Sequence, residues 1–131
     1  MSNTALNTAI YSRLAGTYTT AGTKVYYLQA PDNAALPYIV FDYVADRDEN
    51  YTANRTKNTV MFIRAYSATP GQAGTIDAQI DARLHAGTIT VSGYTNFWTR
   101  REDSYSRAET DEAMRVTYMA GADYRVRLDQ S

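Results

Sequence analysis

From Met114 to Leu128 every second residue is apolar or aromatic: Met114, Val116, Tyr118, Ala120, Ala122, Tyr124, Val126 and Leu128. Between them stand Arg115, Thr117, Asp123, Arg125 and Arg127. A repeat of two held over such a run is the pattern of a β-strand with one buried face, because successive side chains point to opposite sides. At about 3.3 Å per residue the run would span roughly 50 Å, well beyond an ordinary strand, so a bend or bulge is expected near Gly121.

The beginning of the chain has a different period. Leu6, Ile10 and Leu14 recur at helical spacing with Ala9 between them, predicting an amphipathic helix over residues 3 to 15. Ser2 or Thr4 can cap its start and Gly16 can end it. Thr17 to Thr23 is a polar loop, Val25 to Leu28 a short strand, and Ala30 to Pro37 a turning segment with two prolines and Asp32-Asn33. Leu36 to Val44 is apolar on both faces, Ile39, Phe41 and Tyr43 on one and Tyr38, Val40 and Val44 beside Asp42 on the other, as an interior strand requires. Thr59 to Tyr66 has the same character.

Between these two strands Asp46 to Asn58 is strongly polar and predicts a long, mobile hairpin tip. Thr69, Pro70 and Gln72 form a helix start, with Thr69 as cap, Pro70 at the first position and Gln72 completing a capping box. Ile76, Ile80 and Leu84 continue that helix and Gly87 closes it. Thr88 to Ser92 alternates like a strand, Tyr94 to Tyr105 continues beyond Gly93, and Ser104 to Asp111 is a polar connection that lets residues 94 to 104 pair antiparallel with 112 to 125. The predicted class is therefore α+β: an antiparallel sheet with two helices packed on one face, a long C-terminal strand and projecting hairpin loops.

Composition narrows what such a domain can do. The chain has 131 residues, enough for one domain with its own core, and no cysteine, which removes disulfides, thiolate metal sites and thiol nucleophiles. Thirteen basic and fourteen acidic residues leave a net charge of -1, giving no global attraction to nucleic acid or an anionic membrane. Neither a signal peptide nor a membrane-spanning run is expected, so the chain reads as a soluble protein. Twelve tyrosines against three Phe and one Trp suit contact surfaces, although half-buried strands favour Tyr as well.

Catalytic chemistry finds little support. Asp46-x-Asp48-x-Asn50 opens like a calcium loop, but Tyr51 stands where the glycine is needed and Lys57 where the bidentate glutamate is needed. His85 is the only histidine, and no serine has nucleophile-elbow spacing. The glycines are too scattered for a phosphate loop, and Glu102-Asp103 and Asp111-Glu112 sit among basic residues as solvated pairs. No catalytic, cofactor or metal residue is expected. Arg100 and Arg101 beside Trp98 leave three roles open: stacking on a nucleic acid strand, a subunit contact, or core packing.

The chain resembles the tail-completion, or tail terminator, proteins of long-tailed bacteriophages. The residues that carry the likeness are Leu6-x-x-x-Ile10-x-x-x-Leu14, then Ala30-Pro31 leading into Leu36-Pro37-Tyr38-Ile39-Val40-Phe41, with Val60 to Ser67, Ile76 to Leu84 and Tyr124-Arg125-Val126 following in order. The resemblance implies a non-enzymatic virion protein, a single domain that forms a ring, typically a hexamer, at the head-proximal end of the tail tube. Its implied partners are copies of itself, the tail tube protein and the head-tail connector or head-completion protein, with DNA passing through the lumen without specific binding and no membrane involved. Assembly would take place in the host cytoplasm. Within that frame Asp46, Arg47, Asp48, Glu49, Asn54, Arg55 and Lys57 are expected on a loop at the ring lumen or an axial face, and Tyr43, Tyr66, Trp98, Arg100 and Tyr105 at a subunit interface. A head-closure or other neck component, and a small ligand-binding α+β domain, are the alternatives.

Overall fold

The computed structural model describes residues 4–31, 34–49, 56–85, 89–110 and 116–130. The first helix, α1 (Thr4–Leu14), buries Leu6, Ala9, Ile10 and Leu14, the set that helical spacing selects. It stops as predicted: Ala15 N donates to Tyr11 O, and Gly16 takes φ 118°, a conformation that a residue with a Cβ resists. After the short strand β1 (Val25–Tyr27) come β2 (Tyr38–Glu49), β3 (Thr56–Ser67), the helix α2 (Pro70–Leu84), β4 (Tyr94–Thr110) and β5 (Val116–Gln130).

The strands form one sheet in the order β1-β2-β3-β5-β4. Three pairings are antiparallel as expected, but β1 runs parallel to β2, with Val25 opposite Ile39 and Tyr27 opposite Phe41. The segment after β1 causes this. Leu28 turns with φ 69°, its amide donates to Phe41 O, and the proline-bearing stretch to Pro37 carries the chain back to enter the sheet from the same end.

Both helices cover one face of the sheet, and the core lies between them. Ile39 and Phe41 of β2, Met61, Ile63 and Ala65 of β3, and Ala122, Tyr124, Val126 and Leu128 of β5 meet Ile10 and Leu14 of α1 and Ile76, Ile80 and Leu84 of α2. From Ala120 onward the even positions of β5 are buried and, of the odd ones, Gly121 alone among the described residues, whereas Val116 is 44% exposed and Met114 lies outside the described residues. At the start of α2, Thr69 Oγ1 accepts from Gln72 N at 3.2 Å. The reciprocal half of the capping box is absent, because the Gln72 side-chain oxygen accepts from Ser67 Oγ, and Thr69 N donates to that same Ser67 hydroxyl at 3.3 Å. The helix ends at Leu84 with His85 as C-cap, and Gly87 lies outside the described residues.

Three expectations need correction. Asp46 to Asn58 is not one long hairpin tip: β2 and β3 stay paired out to Glu49 and Thr56, because each residue there has a partner for its backbone groups whatever its polarity. Ser104 to Asp111 is not a connection either, since β4 continues to Thr110, where it faces Val116. Thr88 to Ser92 forms no named strand. Ile89 and Val91 are buried, but the ladder there is a single bridge between Val91 and Tyr94.

The bend expected in β5 falls mostly on its neighbours. Register with β3 runs unbroken through Gly121, while β4 carries one extra residue between Asn96 and Trp98 and another between Arg101 and Ser104, opposite the stretch just after Gly121. A third bulge places Val44 as the extra residue of β2. Each bulge swaps which side chains of its strand face the helices.

Candidate interaction surface

Among the described residues no helix covers the second face of the sheet, and its side chains follow from strand alternation. On β2 it receives Tyr38, Val40 and Asp42, on β3 Phe62, Arg64 and Tyr66, on β5 Asp123 and Arg125, and on β4 Arg100 and Tyr105. Arg64 is the centre. Its Nη1 lies 3.1 Å from Asp42 Oδ2, its Nε donates to Tyr66 OH at 2.9 Å, and its Cζ sits 4.8 Å above the Phe62 ring. Burial disfavours the Arg64 charge, but the Tyr66 hydroxyl and the Asp42 carboxylate outweigh it and raise the pKa, so the guanidinium stays charged on a half-buried surface.

Aromatic contacts extend from there in both directions. The Tyr66 ring is 5.3 Å from Tyr38, which meets Tyr26 edge-on at 6.0 Å, and Phe62 meets Tyr105 edge-on at 5.4 Å. The Tyr105 hydroxyl donates to Asp123 Oδ2 at 2.9 Å, and that bond holds its pKa above the usual phenolic range. Arg125 reaches Glu102 at 3.1 Å and Asn58 at 3.0 Å. A shallow hollow of about 200 Å³ lies against this face, bordered by Tyr38, Val40, Arg64, Tyr66 and Glu109. Such a surface offers flat aromatic area and fixed charges, a composition suited to packing against protein.

Three of the five residues expected at an interface therefore share one face: Tyr66, Arg100 and Tyr105. Tyr43 does not join them. It faces the helix side, donates its hydroxyl to Asn7 Oδ1 of α1 and packs edge-on against Tyr27. The Trp98 backbone pairs with Arg127, immediately after the first β4 bulge. Of the residues expected on a projecting loop, Asp46, Arg47, Asp48, Glu49 and Lys57 belong to the paired ends of β2 and β3, while Asn54 and Arg55 lie outside the described residues.

Arg101 is turned toward the helix layer. Its two Nη atoms grip both Asp77 oxygens of α2 at 3.1 and 2.7 Å, Nη1 also reaches Tyr124 OH at 2.9 Å, and its backbone amide donates to His85 Nδ1 at 3.0 Å. The Asp77 contact raises the Arg101 pKa, and burial raises that of Tyr124. Sequence gave no sign of this cluster, since its members are spread over α2, β4 and β5. His85 is thereby a structural acceptor. No group of three or more His, Asp or Glu side chains is placed to hold a metal ion among the described residues, and no helix there is long and apolar enough to cross a membrane.

A family model described as "Tail completion protein gp17" matches residues 5–129. A chain in the solved structure titled "Virion of native gene transfer agent (GTA) particle" superposes with a TM-score of 0.73, covering 97% of this chain and 96% of its own length. The two are 17% identical, a level at which the likeness concerns the fold alone. No curated protein matches the chain in sequence.

Proposed function

Since that family model spans nearly its whole length, the chain belongs to the tail completion protein family, and we propose that it is the terminator subunit of a phage tail. In this proposal copies close into a ring, a hexamer, on the head-proximal end of the tail tube, and the ring joins the tube to the head connector. The family match carries the proposal. The geometry supports it by supplying an uncovered sheet face and two open sheet edges, β1 and β4, which give one subunit two different patches to offer its neighbours. A closed ring of heterologous contacts needs two such patches.

The paired ends of β2 and β3 project in this arrangement toward the lumen or an axial face, carrying Asp46, Arg47, Asp48, Glu49 and Lys57 with both signs of charge. A lumen of mixed sign suits DNA transit, because phosphate contacts strong enough to hold the duplex would hinder its release. Duplex DNA is accordingly expected to bind, even at low salt, no more tightly than the roughly 1 to 100 µM of ordinary non-specific contact. Sub-micromolar binding in a fluorescence anisotropy titration would contradict this lumen.

Sizing the protein alone and with purified tail tubes tests the ring itself. The expected result is a ring, formed spontaneously or on the tube end, and particles made without the protein should accumulate unjoined heads and tails. A monomer that ignores tubes would remove the proposal, and attachment to heads alone would make the protein a neck component instead. Tyr105→Ala is expected to weaken ring or tube association by about tenfold or more, as loss of an aromatic anchor does. Because Tyr105 is 44% exposed, the melting temperature should hardly change. Equal loss of stability and association would show that the residue acts only within the subunit.

A further inference from the structure

The C-terminal ends of α1 and α2 meet through two arginines that hold one another's backbone. Arg13 Nε donates to Arg83 O at 2.7 Å and Arg83 Nε donates to Arg13 O at 3.1 Å. The Arg83 guanidinium also stacks on Tyr18, with Cζ 3.7 Å from the ring centroid. Both side chains are thus fixed, yet only Nε of each is engaged. Among the described residues neither is within ion-pair distance of a carboxylate, and the neighbours one helical turn before them, Ala9 and Ile10, Gln79 and Ile80, include no acid.

Both arginines line a recess of about 170 Å³, together with Ser12, Thr90, Ala9 and Ile89. Two full positive charges stand there against two helix C-termini of about half a negative charge each, so roughly one net positive charge remains. A fixed guanidinium fork matches the planar, two-oxygen geometry of a carboxylate, and Ser12 and Thr90 in the lining carry hydroxyls able to add a bond. A duplex phosphate is less suited, because a rod-like duplex needs a run of basic groups and this chain carries a net charge of -1.

The chain also displays the complementary group. Asp103 is exposed on the outer strand β4, in the bulge between Arg101 and Ser104, and makes no hydrogen bond or ion pair among the described residues. The carboxylates around it are engaged: Glu102 by Arg125, Glu109 by Arg107 and Asp123 by Tyr105. We propose that the Arg13–Arg83 recess is a carboxylate-binding site whose occupant is Asp103 of a neighbouring copy. The occupant rests on the ring proposal; the site itself does not.

Two measurements separate these parts. In the first, the Nε–Hε signals of the ¹⁵N-labelled full chain are followed while sodium acetate replaces sodium chloride at constant ionic strength. Arg13 and Arg83 should shift and saturate while Arg101 stays still, and Arg83→Lys should raise the acetate midpoint about tenfold, as loss of one charge-assisted bond would. Unmoved Arg13 and Arg83 signals would remove the site, even if rings form. Inorganic phosphate binding tenfold more tightly than acetate would overturn the carboxylate assignment. In the second, sedimentation of Asp103→Lys, a substitution on an exposed bulge that leaves the fold intact, should show association weakened about tenfold, and adding Arg13→Glu should recover part of it. Parent-like association of Asp103→Lys, or absence of association in the parent while acetate still binds, would overturn Asp103 as the occupant.

Discussion

Gly121→Ala is expected to lower the stability of the chain by about 3 kcal/mol, at the upper end of what overpacking a buried site costs. A Cβ built at this position would lie 2.6 Å from Arg64 Cβ, 2.7 Å from Ile63 O and 2.8 Å from Arg64 Cα. None of these is the end of a flexible side chain, so relief requires β3 and β5 to separate where Arg64 pairs with Gly121 and Tyr105 pairs with it from the other side. The clash also displaces the guanidinium at the centre of the helix-free face, so in the proposed ring association should fall along with stability. Urea denaturation of the two chains checks the first effect. A midpoint equal to that of the parent would mean that the strands part more easily than a continuous ladder allows.

The second large effect is expected at Arg101→Met, which should cost about 3 to 4 kcal/mol, the usual penalty for stranding one member of a desolvated ion pair. The Arg101 and Asp77 side chains are only 18% and 16% exposed. Removing the cation would leave the Asp77 carboxylate and the Tyr124 hydroxyl without their shared donor under α2. The cluster also sets an alkaline limit. Burial raises the Tyr124 pKa above its unfolded value of about 10, so the folded chain keeps a proton that the unfolded chain releases. Stability is therefore whole below about pH 10 and declines as pH rises through the higher folded value. Denaturation curves at pH 8 and pH 11 should show this decline in the parent and a smaller one in Tyr124→Phe. An identical decline in both would place the alkaline sensitivity elsewhere.

Elements whose buried face is apolar were legible in the sequence, and elements whose buried face is not were lost. α1, β2, β3, α2 and β5 all place Leu, Ile, Val or aromatic side chains at regular intervals, and all stand close to where the spacing put them. β4 was cut short because the positions it turns toward α2 are Asn96, Thr99, Arg101, Ser104, Ser106 and Ala108, a polar or small set that looks like a connection. Two bulges then shift its alternation, which erases the period of two. The ends of β2 and β3 were read as a loop because their residues are charged, although backbone pairing does not ask for apolar side chains. Of the residues on the candidate face, Tyr66, Arg100 and Tyr105 were singled out from the sequence, but their proximity to Arg64, Phe62 and Asp42 follows from the strand order β2-β3-β5-β4 and not from any local motif.

The outermost strand, β4, runs from Tyr94 to Thr110, and no further named strand flanks its outer side among the described residues. A flat ribbon of that length would be a template on which free copies could stack without limit into fibrils. Its two kinks break the straight row of amides, and Arg100, Glu102, Asp103, Arg107 and Glu109 set charges along it that would be stacked like on like in a parallel in-register pile. Free copies are therefore kept from open-ended, edge-to-edge stacking along this strand.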